Sequence, residues 1–224
     1  MKHYVVTRLG ILFDKWWYSD IEERYELFLK TSCKSFEQSE VKPIRIFLVD
    51  VKHKELQKKL KEYGVVLSVT KYDYAERLLE FLNKEHDWYT IVTRLDSDDY
   101  ISPKYLGLVQ EKSKMLNWMT DESNYRISYT NWIIYDYKED KSYTYNKMYT
   151  NMFMSIIHKW KVILKSAHSS WHYNFFREMR WQHIITNEPL WCLNVHWDNV
   201  SSSMGLIREW KNILIDNPNR VWKI

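Results

Sequence analysis

The chain has 224 residues, a hydrophobic fraction of 45% and a formal net charge of +4 from 33 basic and 29 acidic residues. That length suits one large domain with a substantial core, and that hydrophobicity excludes a disordered chain. The charge is too slight to demand a nucleic-acid partner, though it permits one. Two cysteines, Cys33 and Cys192, sit in no C-x-x-C pattern. This argues against a disulfide framework and a zinc site, and fits a reducing compartment. "MKHYVVTRLG" lacks a long apolar run and a small-residue cleavage site, and no stretch reaches a membrane span. The expectation is a soluble, cytoplasmic protein, or one of the host cytoplasm if virally encoded.

In chain order, "HYVVTRL" predicts a first strand and "SDIEERYELFLKTSCKSF" a helix. Ser19 with Glu22 gives that helix a capping-box signature, and Ile21, Tyr25, Phe28, Leu29 and Cys33 share a face. "PIRIFLVD" predicts a strand buried on both faces. "KELQKKLKEYG" is an amphipathic helix stopped by Gly64, and "VVLSV" is a third strand. "YAERLLEFLNKEH" is a helix with Ala75, Leu78, Leu79 and Leu82 inward, followed by a fourth strand in "WYTIVTRLD". Ser102 as N-cap and Pro103 at the first helical position open a helix over "SPKYLGLVQEKSKML". In the second half, "YRISYTNWIIYDY" and "KSYTYN" alternate as antiparallel strands. "FMSIIHKW" and "LWCLNVHW" predict further strands, and "HYNFFREMRW" and "SMGLIREWKNIL" helices.

Strands alternating with helices argue for an α/β fold: a mostly parallel central sheet flanked by helices, with a mixed or antiparallel C-terminal half. One domain over residues 1–224 is expected, split into a ligand-binding half (1–117) and a second half (118–224). Ligands of such sheets bind beyond the carboxyl ends of the strands. Three of those ends are polar: Thr7 and Arg8, then Asp50, then the run Asp96, Asp98 and Asp99.

That last run, in "TIVTRLDSDDYISPKYLGL", is the densest chemistry in the chain. Carboxylates so close repel one another and need a cation or hydrogen bonds, and hard oxygens suit Mg²⁺ or Mn²⁺. An EF-hand counted from Asp96 would need Gly and Glu where Ile101 and Gly107 stand, so it fails. The plainer alternative is that these aspartates cap turns before the helix. No G-x-G-x-x-G, Walker A or G-x-S-x-G sequence is present, which removes Rossmann dehydrogenases, P-loop enzymes and α/β-hydrolases. The 12 Trp and 17 Tyr are either bulky core or a stacking surface for a sugar or base.

"TRLDSDD" resembles the Asp-x-Asp signature of GT-A-type glycosyltransferases. With Thr7 and Arg8, Arg24 with Leu27 and Phe28, Ser35 and Gln38, and Trp191 with His196 and Asn199, the ordered set resembles the putative rhamnosyltransferase family. The chain departs from that pattern in "SIIHKW", where His158 takes an acidic position, in "KSFEQ", and at Trp197. The resemblance implies a GT-A-like fold and a metal-dependent transfer of a sugar from a nucleotide-diphosphate donor to a hydroxyl acceptor, by an inverting course. The cofactor would be Mn²⁺ or Mg²⁺, held by Asp96, Asp98 and His196, with Asp98 the main ligand and Asp96 reaching the ribose or a metal-bound water.

On the same reading Thr7, Arg8 and Asp50 hold base and ribose, and Arg94 touches the donor or pairs with the aspartates. Arg77 is a further nucleotide-side candidate, with a solvated helix face as its alternative. Candidates for the general base are Asp99, His158, His168 and His172, with His168 preferred. Trp171, Trp181 and Trp197 are either an acceptor platform or core. The acceptor would be a glycan or another hydroxyl compound. Hydroxylated bases of DNA are the second reading, and a non-catalytic carbohydrate- or nucleic-acid-binding module the third.

Overall fold

Runs of β-branched and aromatic residues build the centre of the molecule, because side chains pointing to both faces of a helix-covered sheet are all buried. The structure, a computed structural model, describes residues 1–11, 20–86, 88–117, 125–129, 131–136, 140–145, 154–159, 162, 180–184, 189–195 and 214–215. The first half alternates as expected: β1 (Lys2–Leu9), α1 (Ile21–Phe28), a π-helical turn (Leu29–Cys33), α2 (Lys34–Glu37), β2 (Ile44–Asp50), α3 (Lys54–Leu60), β3 (Val65–Val69), α4 (Tyr74–Glu85) and β4 (Tyr89–Arg94). A two-residue strand β5 (Tyr100–Ile101) precedes α5 (Tyr105–Asn117). The second half contributes strands β6 (Tyr125–Tyr129), β7 (Trp132–Asp136), β8 (Lys141–Tyr145), β9 (Ser155–Lys159), β10 (Arg180–Ile184), β11 (Trp191–Val195) and β12 (Leu214–Ile215).

A seven-stranded sheet runs in the order β10-β6-β9-β4-β1-β2-β3. Strands β3, β2, β1 and β4 are mutually parallel, with Thr7 opposite Phe47 and Val6 opposite Arg94. Strand β9 runs against both β4 and β6, and β10 lies parallel to β6. This is the GT-A-like arrangement expected: a parallel first half continued by a mixed second half. A second sheet, β12-β8-β7-β11-β5, is built around the β7–β8 hairpin and the parallel β7–β11 pair. The run 125–137 is therefore not one antiparallel unit with 141–146. Its first part joins the large sheet and its second part the small one.

One apolar cluster links the two sheets and α5, drawing on Val5, Ile91, Leu106, Ile127, Ile157 and Trp191. Its Trp132 and Trp191 rings stack at 4.3 Å between centroids and are fully buried, so these two tryptophans are core. A second cluster packs α4, through Leu78 and Leu82, on the face of Tyr4, Val6, Ile46 and Leu48. A third packs α1 and α3 against Phe47 and Val49. Even a charge is absorbed: the buried Arg45 guanidinium lies 4.5–5.0 Å from the ring centroids of Phe28, Phe36 and Phe47.

Local signals hold with adjustments. Asp20, not Ser19, caps α1, its carboxylate accepting from the Glu22 N–H at 3.0 Å. Gly64 follows α3 for close approach rather than for a left-handed turn, since a Cβ there would stand 2.6 Å from the Arg45 carbonyl oxygen. Gly10, ending β1 at φ +73°, does need the left-handed region. The helices expected over 172–181 and 203–214 lie outside the described residues apart from their ends, which are strand at Arg180–Trp181 and Leu214.

Candidate functional site

Because β1, β2 and β4 are parallel, Thr7 and Arg8, Asp50, and the Asp96–Asp99 loop share one edge of the sheet. The loop leaves β4 with the Leu95 N–H donating to the Val6 carbonyl at 3.0 Å, so it starts level with Thr7. Thr7 is buried, and its hydroxyl has no hydrogen-bond partner among the described residues. Asp50 is half-buried and caps its own turn, accepting from the Lys52 N–H at 3.0 Å.

The three aspartates have three different partners. Arg94, the last residue of β4, grips Asp96 with a two-pronged fork, Nε to Oδ1 at 2.8 Å and Nη2 to Oδ2 at 2.6 Å. The side chains are 8% and 21% exposed. Burial works to lower the Arg94 pKa, but the charge and hydrogen bonds of Asp96, with Asp99 and Asp98 beyond, more than offset it and the net shift is upward. Asp98 meets Arg24, reaching from α1, with Nη1 and Oδ2 3.2 Å apart. Asp99 accepts from the backbone N–H of Asn194 on β11 at 2.9 Å. The Asn194 side-chain amide also donates to the Asp98 carbonyl oxygen. Burial, then the charges of Asp98 and Asp96, push the Asp99 carboxyl well above the usual carboxylate range, against the pull of Asn194 and Arg94.

The loop backbone is held from a third side. The Thr31 hydroxyl, in the π-helical turn, donates to the Ser97 carbonyl at 3.2 Å. The Glu40 N–H donates to the Pro103 carbonyl at 2.9 Å. π-helical turns concentrate at functional sites, and this one lies against the acidic loop.

The sequence missed Arg24 and Asn194 as parts of this site. Arg24 was a motif residue without a role, and its contact spans 74 positions. Asn194 lies just before His196 in a strand that reads as core. Arg77 sits apart on α4, its side chain 60% exposed and its guanidinium 3.7 Å from Asp73 and Glu80, beside a cavity of about 330 Å³ at the β3 edge. His158 lies opposite Thr90, toward the far end of β4 from the aspartates. It is buried, with neither ring nitrogen partnered among the described residues, and burial, then the nearby His86, lowers its pKa to about 3. His168, His172, His196, Trp171 and Trp197 fall outside the described residues, as does the side chain of Trp181.

A divalent cation fits the chemistry of this loop. Its carboxylates are hard-oxygen donors, and at Asp99 the neighbouring negative charges outweigh Arg94. Asp98 meets Arg24 at 3.2 Å, and Asp96 is held in the short Arg94 fork. Among the described residues no three His, Cys, Asp or Glu side chains form a metal-sized group.

The strands, the acidic loop and its arginines define an α/β protein of GT-A-like build with its polar site at the carboxyl edge of the sheet. The family model described as putative rhamnosyl transferase matches residues 52–206, and the chain belongs to that family. No curated protein sequence matches it. Among solved structures, TarS of S. aureus is similar at 10% identity and a TM-score of 0.49, over 87% of this chain and 37% of TarS. The chain thus spans well under half of that protein. TarS residues 1–349 in complex with UDP-GlcNAc align at 9% identity and a TM-score of 0.48, over 89% of this chain and 60% of that one. A CMP:2-keto-3-deoxy-manno-octonic acid synthetase complexed with CTP aligns at 12% identity and a TM-score of 0.40, over 93% and 98%. No helix among the described residues is long and apolar enough to cross a membrane.

Proposed function

We propose that the protein is a glycosyltransferase that moves a sugar from a nucleotide-diphosphate donor to a hydroxyl acceptor at the carboxyl edge of β1, β2 and β4. The observation that carries this reading is the Asp96–Asp99 loop. Three carboxylates, bound by guanidinium groups and backbone amides, stand where the parallel strands end, in a chain whose family is one of transferases. Asp98 is the side chain that would hold Mn²⁺ or Mg²⁺, with Asp96 beside it and His196 following β11 in the chain. Such a cation supplies positive charge that stabilises a nucleoside diphosphate as it leaves.

The chain's own residues do the rest. Thr7, Arg8 and Asp50 bind the nucleoside side, where the buried Thr7 hydroxyl has no partner among the described residues. Arg94 orients Asp96 through its fork. Asp99, bound to Asn194, fixes the loop to β11 and serves as a positioning residue rather than the base. An inverting transfer then takes its base from His168 or His172, which remove the proton of the acceptor hydroxyl.

The test is release of nucleoside diphosphate from a panel of nucleotide sugars with Mn²⁺ or Mg²⁺ present. Wild-type protein should turn over at least one donor, and Asp98→Asn should lose about a hundredfold or more, as expected when a charge-stabilising contact is removed. Full activity in a folded Asp98→Asn variant, or no donor bound or cleaved by the wild type, would refute the reading.

A further inference from the structure

We propose that His53 reads the base of the donor nucleotide: its imidazole, set against Gly10 where β1 and β2 end, hydrogen-bonds the base edge and so selects among nucleoside diphosphates. This rests on the glycosyltransferase reading above and deepens it by naming the residue that chooses the base.

Three observations carry it. The first is position along the sheet edge. Strands β2, β1 and β4 are successive neighbours, and the acidic loop leaves β4. Neighbouring strands stand about 4.8 Å apart, so the end of β2 lies about 10 Å across the edge from that loop. A donor whose diphosphate meets the loop lays its ribose across the end of β1 and brings its base to the end of β2. His53 stands there, just beyond Asp50, with its backbone N–H donating to the Asp50 carbonyl at 3.0 Å.

The second observation is that the ring has a seat. Gly10 follows β1 at φ +73°, and a Cβ built on it would stand 3.1 Å from His53 Cδ2, 3.6 Å from His53 Nε2 and 2.8 Å from Ile21 Cδ1. The bare glycine backbone is what lets the imidazole lie against the end of β1.

The third is hydrogen-bonding capacity. His3 and His86 bond the hydroxyls of Thr93 and Thr90 at 2.8 Å, and His158 is fully buried. His53 is half-buried, and neither of its ring nitrogens has a hydrogen-bond partner among the described residues. Burial, then the Lys52 charge, lower its pKa against the pull of Asp50. The ring is therefore neutral at pH 7, with one N–H and one lone pair to offer. A base that complements them gains a hydrogen bond, and a base that sets donor against donor leaves polar groups unpaired.

Inorganic pyrophosphate separates base reading from a structural role, because it has the phosphates without the base. Binding of UDP, GDP, CDP, dTDP and pyrophosphate is measured by calorimetry with Mn²⁺ saturating. Wild type should prefer one nucleoside diphosphate. His53→Phe keeps a ring against Gly10 and loses both nitrogens. It should bind the preferred nucleoside diphosphate about tenfold more weakly, with the preference over the others reduced by the same factor and pyrophosphate affinity unchanged. A folded His53→Phe that keeps the wild-type preference overturns the proposal, as does one that weakens nucleotide and pyrophosphate alike. If His53→Phe does not fold, His53→Ala carries the same comparison with the same signs. Wild type that binds no nucleoside diphosphate sinks the glycosyltransferase reading itself, an outcome distinct from a variant that keeps its preference.

Discussion

Replacing Arg94 by Met asks whether the fork on Asp96 is a structural commitment of the loop. The pair has two contacts of 2.8 and 2.6 Å between side chains 8% and 21% exposed. Removing one partner of a fully buried pair costs about 3–5 kcal/mol, mostly because a charge is left without compensation. Asp96 retains some water contact, so the lower part of that range applies, and Arg94→Met should lose about 3 kcal/mol of stability. Asp96→Asn keeps the shape, accepts one prong and should lose about 2 kcal/mol. The double variant has no stranded charge left to penalise at these two positions. It should lose about 3 kcal/mol rather than the additive 5, giving a coupling energy near 2 kcal/mol. Urea unfolding of the four proteins, with unchanged denaturant slopes, measures this directly. Additive losses within about 0.5 kcal/mol would refute the argument, because Asp96 would then be independent of Arg94.

Asp99 can be tested by shape against charge. Asp99→Asn leaves an oxygen to accept from the Asn194 N–H and should keep most stability and activity, whereas Asp99→Ala strands that buried donor and should lose about 1–3 kcal/mol. Activity abolished in a fully folded Asp99→Asn would instead make Asp99 the base. His158 predicts acid sensitivity. Its folded pKa of about 3 lies below the ordinary value of 6.5, so the folded state binds fewer protons. The stability present above pH 6.5 is therefore lost as pH falls below it, by about 2 kcal/mol between pH 7 and pH 5. His158→Leu should flatten that part of the profile in thermal melts, and an unchanged profile would contradict the assignment.

What was legible in the sequence follows from the range of the interactions concerned. Strands β1, β2 and β4 announce themselves because burial on both faces leaves nearly continuous apolar runs. Their polar ends mark the site edge because parallel strands put all carboxyl ends together. Ser102 is recognisable as a cap, and its hydroxyl accepts from the Lys104 N–H at 3.4 Å. Strand β5 is not legible: two residues have no period, and only their pairing with β11 makes them a strand. The split of 125–137 between two sheets is equally invisible, since alternation fixes which residues face inward but not which neighbour they meet. His158 shows the limit most plainly. Its strand was readable, but only the antiparallel register to β4 places it opposite Thr90 and away from the aspartates.

The acidic loop owes its shape and its charge balance to different sets of contacts, and that separation matters for function. Its backbone is fixed by uncharged groups: Leu95 on Val6, Thr31 on Ser97, and the Asn194 amide on the Asp98 carbonyl. Its carboxylates are balanced by side chains from elsewhere, Arg94 on β4 and Arg24 on α1. Were the ion pairs also the scaffold, any ligand that claimed a carboxylate would have to unfold part of the loop to bind, and its affinity would fall by that cost. With the backbone held in this way, a ligand that meets the carboxylates finds them already in place. The loop is thus preorganised in position, which is what a site needs if it is to bind a charged donor and release a charged product.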